Sequence, residues 1–596
     1  MTPGHRPPRA QTLVLSALVV GLTLLASHQT GSAQPKKVDD RHATLGPWPA
    51  DVADFVPPKP GEHPRLLFRK TDLEAIRKRA QTPEGQAMVS RLRRQLNGSD
   101  GESMPKVGGA PAKGDDEGGA AGVYSISHVA GFGMLYQITG EKKYADLGRK
   151  CMELAMEGTP NFDPRYSFKN PNGALRAGPS LGWTAVGYDL CYDGWDEDFR
   201  QQVAKAIAEY SPAKGLKNQS DMDLAGLVKG NRQHPGSNHW GMIVGGGALA
   251  VLAIKDDPGV DMAKIAPLLE ASQTSIKIQC TQGFGSGGVY VEGDGTGSMA
   301  SHIALLPAIQ AWRVAGGKDF YAPRPYAQWM NLKWFFLTGL GGDPKNLRAS
   351  FPERGDYPHN IWARGGLSGA NYFGIGFGVA TEDQRAAMLW FYDRAGLREW
   401  DAKHDGGVDA PSPYPHHSVL SLANWPVGLA ERDPDDVLPH AYTDDVAGFY
   451  AWRNRWQDKD DVIASILTRS VKGNMGMKGE TTLTIQHGGK KTKWGRIGGG
   501  FKDEFKPAKD GSTVMMTGEG GCLAIDFSRA SGADAMLVLS GPAATGAKDA
   551  VDVGGTPVAF LFLGGGKAPV PTAEGNKLSV GDQTVALDGK RIVLGR

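Results

Sequence analysis

Three stretches of the 596-residue sequence set groups capable of proton transfer or anion binding beside glycines. In SNHWGMIVGGGALAVLAI (237–254), Asn238 and His239 stand at the mouth of an otherwise apolar run, with His234 upstream and Trp240 directly after. Asn238 can donate hydrogen bonds to a ligand or cap a helix with its side chain. The imidazole of His239 can exchange protons near neutral pH. The second stretch, GFGSGGVYVEGDGTGSMASH (283–302), holds Tyr290, Glu292, Asp294 and His302. No Gly-Lys-Ser/Thr follows its glycines and no buried strand leads into them, so neither a phosphate loop nor a dinucleotide fingerprint is present. It reads as a flexible backbone that brings a phenol and carboxylates up to a bulky ligand, or as a surface loop with Glu292 and Asp294 solvated. The third, FPERGDYPHNIWARGG (351–366), mixes Arg354, Asp356, His359 and Arg364 with Tyr357 and Trp362. Such a mixture suits stacking on sugar rings and pairing with carboxylates, and equally a salt-bridged helix connection. His416 and His417, in PYPHHSVL, read as a proline-rich loop in which adjacent rings face apart, a poor metal pair.

The elements that must position these groups differ along the chain. Between about Val123 and Leu429 the period is helical: HVAGFGMLYQITGEKKYADLGRKCMELAM gives two amphipathic helices broken at Thr139-Gly140, and GWTAVGYDLCYDGWDEDFRQQVAKAIAEY gives a pair broken near Asp193-Gly194. Short breaks make consecutive helices antiparallel, so the simplest architecture is a stack or ring of helical hairpins. After about Pro439 the texture changes to short β-branched runs parted by Gly, Asp and Asn, among them DVIASILTRSV, ETTLTIQ, AMLVLSG and KLSVGDQTVALDGKRIVL, with Asp588-Gly589 as a hairpin signal. This predicts an antiparallel β-domain.

Bulk properties bound the function. With 40% hydrophobic and 22% charged residues the chain is an ordinary globular protein, and a formal net charge of +2 gives no support for nucleic-acid binding. Residues 1–33 read as a signal peptide: His5, Arg6 and Arg9 precede an apolar stretch from Leu13 to Ala26 and a small-residue site at Gly31-Ser32-Ala33. That stretch is short for a membrane span, so no span is expected after its removal, and the destination is the periplasm or the exterior. Residues 34–60 read as a linker or extended arm. The four cysteines, Cys151, Cys191, Cys280 and Cys522, are widely spaced with no CxxC, and read mainly as buried thiols.

At this point the segments HPRLLFRKTDLEAIRKRA, YQITGEKKYADLGRKCMELA, AVGYDLCYDGW, the Asn238-His239 pair and GGVYVEG together carry a resemblance. The chain resembles the heparinase II/III-like polysaccharide lyases, which include alginate-lyase relatives, over His63 to about Gly495. The resemblance implies an incomplete (α/α) toroid, here 61–435, followed by an antiparallel β-sandwich, here 436–596. It implies an exported enzyme acting on an acidic polysaccharide by β-elimination, with no cofactor and no metal required. In that chemistry the uronate carboxylate is neutralised by donors or cations, a base removes the weakly acidic C5 proton, and an acid protonates the leaving 4-oxygen.

By the same resemblance, Asn238 corresponds to the neutralising Asn, His239 to the adjacent His, and Tyr290 to the acid and base, with His302 as the alternative proton carrier if Tyr290 points into the core. Trp240, Glu292, Arg354, His359 and Arg364 are the expected substrate contacts. The departure is in the β-domain, where relatives carry a His-x-His strand: GNMGMKGETTLTIQHGG has Met475 and Met477 in its place, and methionine neither shuttles protons nor binds zinc well. Lys472, Lys478 or His487 are the available compensating groups. Two rival functions follow. One is a glycoside hydrolase with Glu292 and Asp294 as acid and base. The other is a glycan-binding protein with impaired catalysis.

Overall fold

The computed structural model describes residues 37–108, 121–212, 222–230, 233–293, 296–341, 372–404 and 412–467, then the shorter segments 482–487, 490–496, 504–507, 514–517, 535–540, 551–563, 570–580, 583–588 and 591–594. The leader, the 351–366 stretch, Asp294 and the methionine pair Met475 and Met477 lie outside the described residues. From Val38 onward the chain packs as one compact unit of mixed helix and antiparallel sheet.

The helices in chain order are α1 (Leu73–Ala80), α2 (Pro83–Asn97), α3 (His128–Thr139), α4 (Lys142–Glu157), α5 (Ala174–Cys191), α6 (Glu197–Ala208), α7 (Leu224–Lys229), α8 (Asn238–Ala253), α9 (Met262–Ile278), α10 (Thr296–Gly316), α11 (Pro325–Phe336), α12 (Tyr372–Val379), α13 (Glu382–Arg394), α14 (Leu397–His404) and α15 (Pro415–Asn424). Local chemistry sets several boundaries. Thr82 caps α2 by accepting the Gly85 N–H, with Pro83 at the first helical position, and Asp196 caps α6 through the Phe199 N–H. The break expected at Thr139-Gly140 is there, with Gly140 left-handed at φ 75°.

Contacts run from α3 to α5, α8, α10, α12 and α15, and α15 returns to α3, so these six helices close a ring. Helices within it are flanked on both sides. Residues on every face of α3 and α5 are buried, which corrects the amphipathic reading of the α3 segment. Between α5 and α8 the backbones nearly touch: a Cβ on Gly246 would lie 1.9 Å from the Gly178 carbonyl oxygen. Its two glycine neighbours face other helices, Gly245 towards Ala304 of α10 and Gly247 towards Val228 of α7. Consecutive positions on a helix point about 100° apart, so the triple glycine lets three neighbours approach one post.

The strands are β1 (Ala50–Asp51) and β2 (Lys318–Asp319), which pair with each other, and β3 (Ala441–Asp444), β4 (Phe449–Arg453), β5 (Ile463–Leu467), β6 (Thr482–His487) and β7 (Lys490–Arg496), which form one antiparallel sheet in sequence order. Smaller antiparallel sheets follow: β8 (Glu504–Pro507) with β9 (Val514–Thr517), β10 (Ala535–Ser540) and β11 (Val551–Val553) on either side of β12 (Thr556–Leu563), and β13 (Thr572–Glu574), β14 (Lys577–Val580), β15 (Gln583–Asp588) and β16 (Arg591–Leu594) as a meander. Asp588 pairs with Arg591, the register expected of a two-residue hairpin. The first sheet is locked to the helices by buried Arg453, whose guanidinium donates to the Phe336 and Thr338 carbonyls at 3.0 and 2.8 Å and to Asp461 at 2.9 Å.

Candidate active site

Gly178 of α5 lies against Met242 and Ile243 of α8, and Gly182 lies against Gly246, so the two helices run parallel and their first turns share one end. Ser237 is the N-cap of α8: its hydroxyl accepts the His239 N–H at 3.3 Å. The cap is therefore Ser237, and Asn238 is the first helical residue. Between the two helix starts is a cavity of about 190 Å3 lined by Asn172, Gly173, Ala174, Leu175, Arg176, Met222, Gln233 and His239.

Two of these groups give the cavity its chemistry. The Nε of Arg176 is buried and has no hydrogen-bond partner among the described residues, and no carboxylate among them pairs with the guanidinium. The half-buried guanidinium therefore offers the cavity a positive charge that no described carboxylate offsets. Half-buried His239 is held below the usual histidine range, first by burial and then by the positive charge of Arg176. It is therefore neutral at pH 7 and able to accept a proton. The positive ends of two helix dipoles add to the preference for an anion.

The glycine-rich stretch is built for a different purpose from the one its composition suggests. A π-helical turn, Gln279–Gly283, continues α9 into it. Buried Asp444 of β3 then accepts the Val289 N–H at 2.9 Å and the Ala447 N–H at 2.8 Å, and the Ser286 hydroxyl lies 3.4 Å from it. A Cβ on Gly285 would sit 2.1 Å from the Asp444 carboxylate, and one on Gly287 2.0 Å from the Thr443 carbonyl oxygen. Lys333, wholly buried, donates to the Gly288 carbonyl at 2.6 Å. The glycines thus admit β3, and the segment is clamped.

That clamp decides where the expected site residues lie. Tyr290 has no exposed surface and packs with its ring 4.8 Å from Phe284. Glu292 is also buried. Trp240 is fully enclosed, donating its indole N–H to the Ser275 carbonyl at 3.1 Å and packing with Val244 and Ile278. Tyr290, Glu292 and Trp240 are corrected to interior positions: none lines the cavity. The segments themselves do meet, since a Cβ on Gly236 would lie 2.5 Å from Val291 and one on Gly283 2.6 Å from the Pro235 carbonyl oxygen. His302 falls on α10, but its side chain, like that of Asn238, lies outside the described residues, as do Arg354, His359 and Arg364 entirely. Lys472 and Lys478 are likewise outside them, and half-buried His487 ends β6 opposite Lys490.

The His416-His417 reading is corrected as well. Both lie in the first turn of α15, wholly buried, with ring centroids 4.2 Å apart. Ser127 holds His416 at 3.1 Å and Ser412 holds His417. Burial and the neighbouring His417 keep His416 well below the usual histidine range. Among the described residues no group of three or more His, Cys, Asp or Glu is arranged to hold a metal ion. Cys151, Cys191 and Cys280 are buried free thiols. No described helix is long and apolar enough to cross a membrane.

Sequence reasoning missed Arg176, Asn172 and Gln233. The signal for Arg176 was present: ALRAGPSLGW sets one cation at the mouth of an apolar run, the same pattern that drew attention to His239.

No family model matches the chain, and no curated protein matches it. Among solved structures it is similar to a heparinase III, at 11% identity and TM-score 0.36 over 84% of this chain and 77% of the other. It is similar to the heparan sulfate lyase HepC from Pedobacter heparinus, at 11% identity and TM-score 0.37 over 88% and 94%. An alginate lyase from Bacteroides ovatus aligns at 11% identity and TM-score 0.33 over 60% of this chain and 100% of that one. At TM-scores this low, the function must be read from the residues of the cavity.

Proposed function

We propose that this protein is an exported polysaccharide lyase that cleaves uronic-acid-containing glycans by β-elimination at the shared start of α5 and α8. The observation that carries the reading is the unpaired Arg176 guanidinium beside neutral His239 in one cavity. In this scheme Arg176 and the Asn238 amide engage the uronate carboxylate and stabilise the enolate that forms as the C5 proton leaves. His239 takes that proton. With Tyr290 enclosed, protonation of the leaving 4-oxygen falls to His302. The closed ring of helices is read as the (α/α) toroid, 61–435, and the sheets after it as the β-sandwich, 436–596, with residues 1–33 as the signal peptide.

The test is to incubate purified protein with alginate, heparan, chondroitin and pectin while following ultraviolet absorbance, which reports the unsaturated uronate made only by elimination. One glycan should give a steady rise. Reducing ends without that absorbance would indicate hydrolysis instead. Within the active assay, His302→Ala is expected to lower turnover by about 10²-fold, the scale of a general acid, while Tyr290→Phe stays within about threefold. The reverse pattern would return the proton to Tyr290. A second reading, a glycan-binding protein without turnover, draws on the burial of Tyr290; binding to a glycan without product would select it.

A further inference from the structure

The segment Val38–His42 touches α8, the end of α9, the turn 279–283, the glycine-rich segment and α11. Val38 packs on Trp240, Val244 and Ile278, next to His239 in the first turn of α8. Arg41 donates to the Thr281 carbonyl at 2.8 Å, and the Asp39 N–H reaches the Thr281 hydroxyl at 3.4 Å. His42 Nε2 lies 2.8 Å from the Ser286 carbonyl oxygen in the glycine-rich segment. Asp40 anchors the arm on α11 and the residue before it: Arg324 grips its carboxylate through Nε and Nη2 at 3.0 and 2.7 Å, and the Tyr326 hydroxyl donates to it. Burial opposes ionisation of Asp40, but these hydrogen bonds outweigh it and hold the carboxyl below its usual range.

The arm holds an irregular turn near the site. Thr281 is the centre of the π-helical turn, an unusual geometry that recurs at functional positions. Within that turn Gln279 is wholly buried, and neither atom of its amide has a hydrogen-bond partner among the described residues. A turn that leaves a buried amide unmatched needs outside contacts to persist. Arg41 and Asp39 supply them on the turn, and His42 supplies one five residues further on. The displacement they prevent would move the glycine-rich segment against the loop that starts α8, because Gly283 and Val291 touch Pro235 and Gly236.

We propose that Asp40, Arg41 and His42 are positioning residues for the candidate active site, fixing the turn 279–283 and the segment 284–291 against the start of α8. The proposal rests on the lyase reading for its kinetic consequence, and its local consequence is independent of it. The full-length protein carrying Arg41→Ala with His42→Ala should show kcat on the active glycan reduced about tenfold, with KM within about twofold and the melting temperature unchanged, since small misplacements of reacting groups cost rate rather than fold. Arg41→Lys should restore most of the rate. Amide hydrogen exchange at Val289 and Val291 should quicken in the double variant while Leu249, inside α8, stays protected. Unchanged kcat overturns the proposal, and so does a loss of rate that only follows a loss of melting temperature. If the wild-type protein eliminates none of the four glycans, the lyase reading fails by itself. The arm is then judged by exchange: selective quickening at Val289 and Val291 supports it, and unchanged exchange overturns it.

Discussion

The two ends of helix α5 carry the same kinds of side chain in opposite electrostatic states. At its C-terminal end, His63 bridges two carboxylates, Nδ1 to Asp189 at 2.7 Å and Nε2 to Asp257 at 3.1 Å. Arg65 pairs with Asp257 at 2.7 Å, the Tyr188 hydroxyl donates to it at 2.7 Å, and the Arg65 and Leu66 N–H groups donate to Asp189. Every charge there has a partner. At the N-terminal end, about 20 Å away along the helix axis, Arg176 has none among the described residues, and His239 stands beside it in an open cavity. The comparison teaches that arginine and histidine beside an apolar helix say little by themselves; whether the protein supplies the counter-charge separates scaffold from site.

Breaking the paired end should have the largest effect. Asp257→Ala leaves Arg65 and His63 buried without their carboxylate and is expected to destabilise the fold by about 3–5 kcal/mol, read from denaturant unfolding. Activity should fall only with the folded fraction. Arg176→Ala should do the opposite: kcat/KM down about 10²-fold, near 2.7 kcal/mol, with the unfolding midpoint unchanged or slightly raised. A midpoint that falls as for Asp257→Ala would make Arg176 a structural residue.

The smallest effect concerns pH. His239 must be neutral to act as a base, so the rate falls as pH drops through its folded pKa, which lies below the ordinary histidine value. Removing the Arg176 charge makes the imidazole easier to protonate and raises that pKa. The acid limb of kcat/KM in Arg176→Ala should therefore move to higher pH. A limb that stays in place would mean that another group titrates.

The limits of the sequence reading have particular causes. The helix that opens with Asn238 was legible because its apolar run lies within the helical pattern on either side of it. The glycine-rich segment was misread because the residue that explains its glycines, Asp444, stands more than 150 positions later, and nothing local announces a strand packing there. Tyr290 and Trp240 were expected at the ligand from the resemblance, which says nothing of the side chains that enclose them, Phe284 for the one and Ser275 and Ile278 for the other. Proline-rich context suggested a loop at His416 and His417, whereas Pro415 occupies the first helical position, where its missing N–H costs nothing. Arg176 carried as much signal as His239 but lies outside the segments that carry the family resemblance. Composition suggested a linker or arm over 34–60 but gave no sign that Ala50–Asp51 pairs with Lys318–Asp319, a partner far along the chain.

On the lyase reading the α5/α8 cavity recognises a uronate carboxylate through Arg176. The most direct measurement is calorimetric titration of the wild-type protein and Arg176→Ala with a uronate oligosaccharide and with its carboxyl-reduced counterpart. Wild-type protein should prefer the charged sugar by tenfold or more, about 1.4 kcal/mol, and the variant should bind the two alike. Equal affinities in the wild type, or a preference that survives in Arg176→Ala, would contradict the account.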